Sequence, residues 1–325
     1  MLINTLLIVA GIALLSGGAH YLVEGASNLA KRLGVSDLIV GMTVVAFGTS
    51  TPELVVSVIA AMKGSGEVAI GNIIGSNTAN IGLILGLTAI IQPLRIRHNT
   101  IWKDIPFSFV GVIVVMLMVS DHHLDRWTSS MGFISRSDGL VLLCFFSIYL
   151  YYTYSVARQE HPQTTQDISH RPLWLAILWV IGGLAALAYG GQLTVDGAVN
   201  IARALGISEA IIGLTIVAVG TSLPELATSV AAALRGRADM AMGNVVGSNI
   251  FNIFFILGVS AVARPLYIGN ITLVDFVVCL LATVLMFASG LVLKRQIMYR
   301  PKGWVLLGLY ALYTIWLVLE ALGKV

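Results

Sequence analysis

Two carboxylates, Glu53 and Glu225, stand inside long apolar runs, each closing a polar hexapeptide: GTSTPE at 48–53 and GTSLPE at 220–225. A carboxylate placed in hydrocarbon costs about 2.5 to 3.5 kcal/mol on insertion scales, so a pair needs compensating charge, and a bound cation supplies it. The neighbouring residue types suit that task. At about 100° per residue, Ala46, Ser50, Glu53 and Ser57 fall on one helical stripe, and so do Ala218, Ser222, Glu225 and Ser229. Pro52 and Pro224 lack an N–H, so the carbonyls one turn earlier, at Gly48 and Gly220, lose their usual donor at membrane depth. Further along each copy, Ser76 with Asn80 and Ser248 with Asn252 are one turn apart and can present oxygen in one direction. The donor set is hard and oxygen-only. Calcium favours roughly six to eight such ligands, while the absence of His and Cys from the cluster argues against zinc or copper. Two carboxylates balance one divalent ion, and the neutral oxygens can hold monovalent ions once it leaves, so mutual exclusion gives exchange a physical basis.

The elements that must position these residues are membrane spans. The 325-residue chain is 57% hydrophobic and 11% charged, with many apolar runs near the length of a bilayer crossing, which excludes an ordinary soluble domain. Ten spans are predicted, at 2–30, 38–62, 68–91, 105–120, 137–157, 173–202, 210–234, 240–263, 270–293 and 303–322. Helices are expected throughout, because backbone polar groups in lipid must be satisfied within the segment and no run alternates with the period of two that a barrel strand needs. The first run has no basic residue before it and no small-residue cleavage site, so it reads as a retained helix. A net charge of +3, spread between the apolar runs, gives nucleic-acid binding no support. Cys144 and Cys279 read as small buried hydrophobes, His20 as a satisfied interior histidine, and Trp102, Trp127, Trp174 and Trp304 as interfacial anchors at helix ends.

Basic residues orient the chain. Loops after odd-numbered spans hold Lys31, Arg32, Arg95, Arg97, Lys103, Arg158, Arg171, Arg235, Arg237, Lys294, Arg295, Arg300 and Lys302, which is 13 of the 19. By the positive-inside bias these loops face the cytoplasm and both termini lie outside.

The sequence also repeats itself. GVSDLIVGMTVVAFGTSTPELVVSVIAAMKG from Gly34 aligns without a gap on GISEAIIGLTIVAVGTSLPELATSVAAALRG from Gly206, and GNIIGSNTANIGLILG from Gly71 on GNVVGSNIFNIFFILG from Gly243. The offset is constant, since 225 − 53 and 249 − 77 both equal 172. Five spans per half is an odd number, so the second copy enters the membrane from the opposite side. The expected halves are 1–157 and 173–325, joined by a short cytoplasmic linker at 158–172, with repeat segments at about 34–94 and 206–266. Inverted repeats of this kind carry their binding site near the midplane, where interrupted helices meet.

The paired GTSxPE and GSNxxN segments resemble the two alpha-repeats of the sodium/calcium exchanger family, within the cation/calcium antiporter superfamily, in its compact prokaryotic form. The resemblance implies an all-α polytopic membrane protein of ten transmembrane helices in two inverted five-helix repeats, exchanging calcium for sodium by alternating access. Carried over by motif position, Glu53 and Glu225 would bind both ions and carbonyls of Thr49 and Thr221 would complete the calcium site. Ala46, Ser50, Ser76, Ala218, Ser222 and Ser248 would line flanking sodium sites, and Asn80 and Asn252 would occupy the centre. Relatives that include potassium-dependent members carry Asp at the position of Asn252, so the amide here lowers the odds of potassium co-transport. The implied partners are calcium, sodium and the lipid bilayer of a bacterial or archaeal plasma (inner) membrane. No cofactor and no enzymatic activity are implied, and a monomer is compatible with the sequence. Calcium/proton exchange at the same site is the alternative; the Thr-Ser pair before each Glu, suited to dehydrated sodium, argues against it. An intramembrane enzyme would lack a recognisable nucleophile, a metal-binding His pair or a paired-Asp signature.

Overall fold

The computed structural model describes residues 1–120, 132–159, 172–206, 216, 218–269, 271–291 and 296–322. The helices are α1 (Leu2–Leu33), α2 (Asp37–Thr49), α3 (Thr51–Lys63), α4 (Gly66–Ile91), α5 (Thr100–Val119), α6 (Arg136–Gln159), α7 (Leu173–Ala204), α8 (Ala218–Thr221), α9 (Leu223–Leu234), α10 (Ala238–Ala263), α11 (Leu273–Leu291) and α12 (Arg300–Ala321). Among the described residues, eight helices are long and apolar enough to cross a bilayer, and nine if α2 and α3 form one bent span. The chain is a helical integral membrane protein.

The expected span at 38–62 is broken. Ser50 leaves helical geometry at φ −82° and ψ 8°, Pro52 follows within the first turn of α3, and the two helices meet at a 46° bend. Proline there has no N–H to waste, because the first turn of a helix has no internal acceptor for it. The same break recurs at Ser222, between α8 and α9, with φ −88° and ψ 5°. The expected span at 210–234 falls partly outside the described residues, as do Trp127 and most of the 158–172 linker.

Small residues govern how the helices meet. Helices α1 and α7 run antiparallel in contact along their length, with Gly11, Gly18 and Gly25 facing Gly190, Gly183 and Ala176. A Cβ added to Gly18 would stand 2.9 Å from the carbonyl oxygen of Gly183, and one on Gly190 would stand 2.8 Å from that of Gly11. No side chain fits, so backbones touch, as small-residue faces allow in lipid. These contacts exchange between the copies. Gly11 meets Gly190 and Gly18 meets Gly183, and both 190 − 18 and 183 − 11 equal 172.

Helices α4 and α10 are the most buried and form the centre, whereas α1, α6 and α12 present most of their surface outward. Glycines from the GNxxGSN segment press α10 onto α2: a Cβ on Gly243 would lie 2.5 Å from the oxygen of Leu38, and one on Gly247 2.8 Å from the Cβ of Ala46. Both central helices widen into π-helical turns, at Asn80–Leu85 and Phe251–Ile256. Such turns often mark functional positions, because they redirect the side chains of an otherwise regular helix.

Two short ladders were not anticipated by an all-helical reading. Strand β1 (Leu94–Arg95) pairs antiparallel with β4 (Ile297–Met298), and β2 (Phe133–Ile134) pairs with β3 (Leu266–Tyr267). Each lies in a segment connecting helices and ties one half of the chain to the other. Leu94 faces Met298 and its repeat equivalent Leu266 faces Ile134, so the same position of each repeat segment pairs with the other half of the chain.

Two further expectations need correction. Cys279 is buried as expected, but Cys144 is exposed on α6. His20 is exposed on α1, where its Nδ1 meets the Arg235 guanidinium, so it is not an interior residue. Both lie on outward faces that an apolar sequence does not distinguish from inward ones. Trp102, Trp174 and Trp304 are exposed near helix ends, where an indole can sit at the lipid headgroups.

Candidate functional site

The breaks at Ser50 and Ser222 bring both hexapeptides to the centre of the molecule. Glu53 and Glu225 are each only 1% exposed, within the first turn of α3 and α9, and close enough for their charges to repel. The copies interlock there. The Ser50 hydroxyl donates to Glu225 Oε1 at 3.0 Å, and Thr49 also stands beside that carboxyl. Thr221 and Ser222 stand beside Glu53. Each carboxylate is therefore lined by the Thr-Ser pair of the other copy, a pairing across 175 positions in the chain.

Asparagines from the two central helices hold the glutamate turns. Asn72 Nδ2 donates to the Glu53 carbonyl at 3.3 Å and to Ser57 Oγ at 2.9 Å. Asn244 Nδ2 makes the equivalent bonds, to the Glu225 carbonyl at 3.3 Å and to Ser229 Oγ at 3.0 Å. Asn244 also accepts from Thr49 Oγ1 at 3.1 Å. Their partners are the glutamates' own carbonyls and the serines one turn on, so Asn72 and Asn244 fix where the carboxylates stand.

At the centre, Asn80 Nδ2 donates to Asn249 Oδ1 at 3.0 Å, and Asn252 Nδ2 donates to Asn77 Oδ1 at 2.9 Å. Asn77 and Asn249 were missed as contributors, although both belong to the repeated GSN motif that could have flagged them. Ser76 and Ser248 are buried one turn before these amides. Ala46 is wholly buried; Ala218 belongs to α8 by its backbone, and its side chain lies outside the description.

What remains is a set of acceptors. Among the described residues, Glu53 Oε2, Glu225 Oε2, Asn80 Oδ1, Asn252 Oδ1, Ser222 Oγ and Ser248 Oγ are buried without a hydrogen-bond partner. Each buried polar atom left so costs about 1–3 kcal/mol, more when charged, so a cluster of them points to a ligand that satisfies them together. Two carboxylate oxygens among neutral oxygens are hard donors of the kind calcium prefers.

The two copies are not in the same conformation. Helix α1 packs on α9, and the His20–Arg235 contact closes that seam. The repeat equivalents are Gln192 on α7 and Lys63 on α3, since 192 − 20 and 235 − 63 both equal 172. Among the described residues no hydrogen bond joins Gln192 to Lys63, and α7 packs far less on α3 than α1 does on α9.

A pair of membrane-buried carboxylates ringed by neutral oxygens, at the meeting point of two broken helices, is the arrangement of a cation-handling transport protein. The chain belongs to the sodium/calcium exchanger family: the model of the "Sodium/calcium exchanger protein" family matches residues 3–155 and 175–319. It is 39% identical over 269 residues to the "Putative antiporter CaxA" of Alkalimonas amylolytica, covering 82% of each chain. It is 30% identical over 332 residues to the "Sodium/calcium exchanger MaX1" of Methanosarcina acetivorans, covering 93% of this chain and 92% of that one. Among solved structures it is similar to the sodium-calcium exchanger NCX_Mj, with a TM-score of 0.80 at 35% identity, covering 96% of this chain and 97% of that one. The protein is a cation/calcium antiporter by family and fold.

Proposed function

We propose that this antiporter exchanges calcium for sodium by alternating access, with both ions competing for the Glu53–Glu225 site. The observation that carries the reading is the cluster of buried, unpartnered oxygens around the two carboxylates. Glu53 and Glu225 hold calcium together with the Thr49 and Thr221 carbonyls. Ser50, Ser222, Ser76 and Ser248, with the small Ala46 and Ala218 leaving room, line flanking sodium positions, and Asn80 and Asn252 present oxygen at the centre. A divalent ion neutralises the pair of carboxylates. Once it leaves, their mutual repulsion favours monovalent cations in its place, so neither state crosses the membrane with two bare charges.

The transport unit in this reading is ten transmembrane helices in two inverted five-helix halves, 1–157 and 173–325, joined by the cytoplasmic 158–172 segment, with both termini extracytoplasmic. The exchange of contacts at an offset of 172 supports the two-fold relation, and the unequal α1–α9 and α7–α3 seams support alternating access. Two copies of one unit held in different conformations can trade those conformations, which opens the site to each side in turn. The names of the exchangers from Methanosarcina acetivorans and NCX_Mj support sodium as the coupling ion.

Calcium flux in reconstituted vesicles tests the coupling. Replacing sodium by choline is expected to stop calcium movement. Flux that persists in choline and follows a pH gradient would make the protein a calcium/proton exchanger instead.

Selectivity supplies a second test. Asn252→Asp adds a carboxylate to the neutral centre, one turn from Ser248, and is expected to change the ranking of sodium and potassium as drivers of calcium flux by about tenfold, the size of 1.4 kcal/mol of differential binding. Identical dependence on both ions in the variant and the wild type would remove Asn252 from the site.

A further inference from the structure

The central amides raise a problem of aim. An asparagine side chain has an acceptor oxygen at one end and a donor NH2 at the other, nearly identical in shape, and only the oxygen can face a cation. In an even environment the amide turns over at little cost, and half of its orientations repel the ion. Here hydrogen bonds select one orientation. Asn80 has its Nδ2 held by Asn249 Oδ1 at 3.0 Å, and Asn252 has its Nδ2 held by Asn77 Oδ1 at 2.9 Å, which leaves both Oδ1 atoms free. Turning Asn252 over would break that bond and set its oxygen against Asn77 Oδ1, which stays in place because Asn77 Nδ2 is held by the Asn249 carbonyl; turning Asn80 over alone would set its oxygen against Asn249 Oδ1 in the same way, and all four residues are at most 1% exposed.

We infer that Asn77 and Asn249 are positioning residues that fix the amide oxygens of Asn80 and Asn252 toward the ion, each serving the opposite repeat. This rests on the cation site proposed above. The bracing is reciprocal: the ligand amide from one copy takes its orientation from a non-ligand amide of the other, so the centre is assembled only when α4 and α10 are in register. Asn77 has a second anchor, its Nδ2 donating to the Asn249 carbonyl at 3.2 Å. Asn249 has none, because its Nδ2 lacks a partner among the described residues. The two braces therefore differ in what they tolerate. At Asn249 only the oxygen is used, so aspartate keeps the working atom. At Asn77 both ends are used, so aspartate loses one bond.

The experiment compares Asn249→Ala, Asn249→Ser and Asn249→Asp in reconstituted vesicles, with calcium flux measured against calcium concentration and the calcium-dependent rise in Tm measured on purified protein. Alanine removes the acceptor; serine keeps a polar group in the buried position but is too short to reach Asn80, which covers the case in which alanine does not fold. Both are expected to raise the apparent KM for calcium about tenfold, the size of one lost neutral hydrogen bond, with the maximal rate within about twofold of wild type. Asn249→Asp and Asn77→Asp bring the same added charge to the centre, so their difference isolates the bonding: Asn249→Asp is expected to have a KM about threefold or more below that of Asn77→Asp, which forfeits the bond to the Asn249 carbonyl. A wild-type KM in Asn249→Ser, or the same KM in Asn249→Asp and Asn77→Asp, would overturn the inference. A wild-type protein whose Tm ignores calcium would instead sink the cation site itself, so the two failures are distinguishable.

Discussion

Glu53→Gln and Glu225→Gln are each expected to abolish calcium–sodium exchange while leaving the fold intact. Glutamine keeps the shape of the side chain and an oxygen that can still accept, so at position 225 the bond from Ser50 survives. What it removes is half of the negative charge that offsets a divalent ion at a site where both carboxylates are only 1% exposed. Stripping one partner from a buried ion pair costs about 3–5 kcal/mol. At 1.4 kcal/mol per factor of ten, this weakens calcium binding by about 100-fold or more. The stability effect has the opposite sign. Without ions, the two carboxylates repel each other and each has an unpartnered oxygen, so neutralising either relieves the ion-free protein. The Tm measured in chelator is therefore expected to stay level or rise, and its increase on adding calcium to disappear. Wild-type calcium uptake by either variant, or a collapse of the ion-free Tm, would refute the assigned roles.

The second large effect concerns the α1–α7 contact. Gly18→Leu and Gly183→Leu are expected to prevent the protein from assembling. A Cβ at Gly18 would lie 2.9 Å from the oxygen of Gly183, and one at Gly183 would lie 2.7 Å from the backbone nitrogen of Leu22. Both neighbours are backbone of a rigid helix, so neither can step aside, and a leucine must push the helices apart along a contact that also includes Gly11, Gly25 and Gly190. Overpacking of one site costs about 1–3 kcal/mol, and separating a whole helix pair costs more. Gly17→Leu is the control, because nothing lies within 4 Å of a Cβ there. The readout is the yield of monodisperse protein in detergent: normal for Gly17→Leu and lost for Gly18→Leu. Equal yields would mean that α1 and α7 do not meet through their glycines.

Much of the site could be read before any coordinates. An apolar background makes a carboxylate conspicuous, and the second copy of each motif shows that the polar residues are not accidents of one helix. The stripe of Ala46, Ser50, Glu53 and Ser57 was legible because helical periodicity is local, and all four are buried as one inward face. Pro52 announced a break for the same reason: its missing N–H acts within one turn.

The sequence by itself determined the class of element, the approximate limits of the spans, the internal repeat and the residues that carry charge. Each follows from interactions within a segment or from comparison of one segment with another. Only the tertiary structure decided which side chains meet: Ser50 with Glu225, Asn252 with Asn77, and His20 with Arg235, pairs drawn from opposite halves of the chain. It also decided which way Cys144 and His20 face, and that α1 packs on α9 more closely than α7 packs on α3. The physical reason lies in the solvent. In water a helix advertises its buried side by being apolar there, but in a bilayer lipid and protein interior are equally apolar, so orientation and partnership are settled by close packing and by the few polar groups that must find one another.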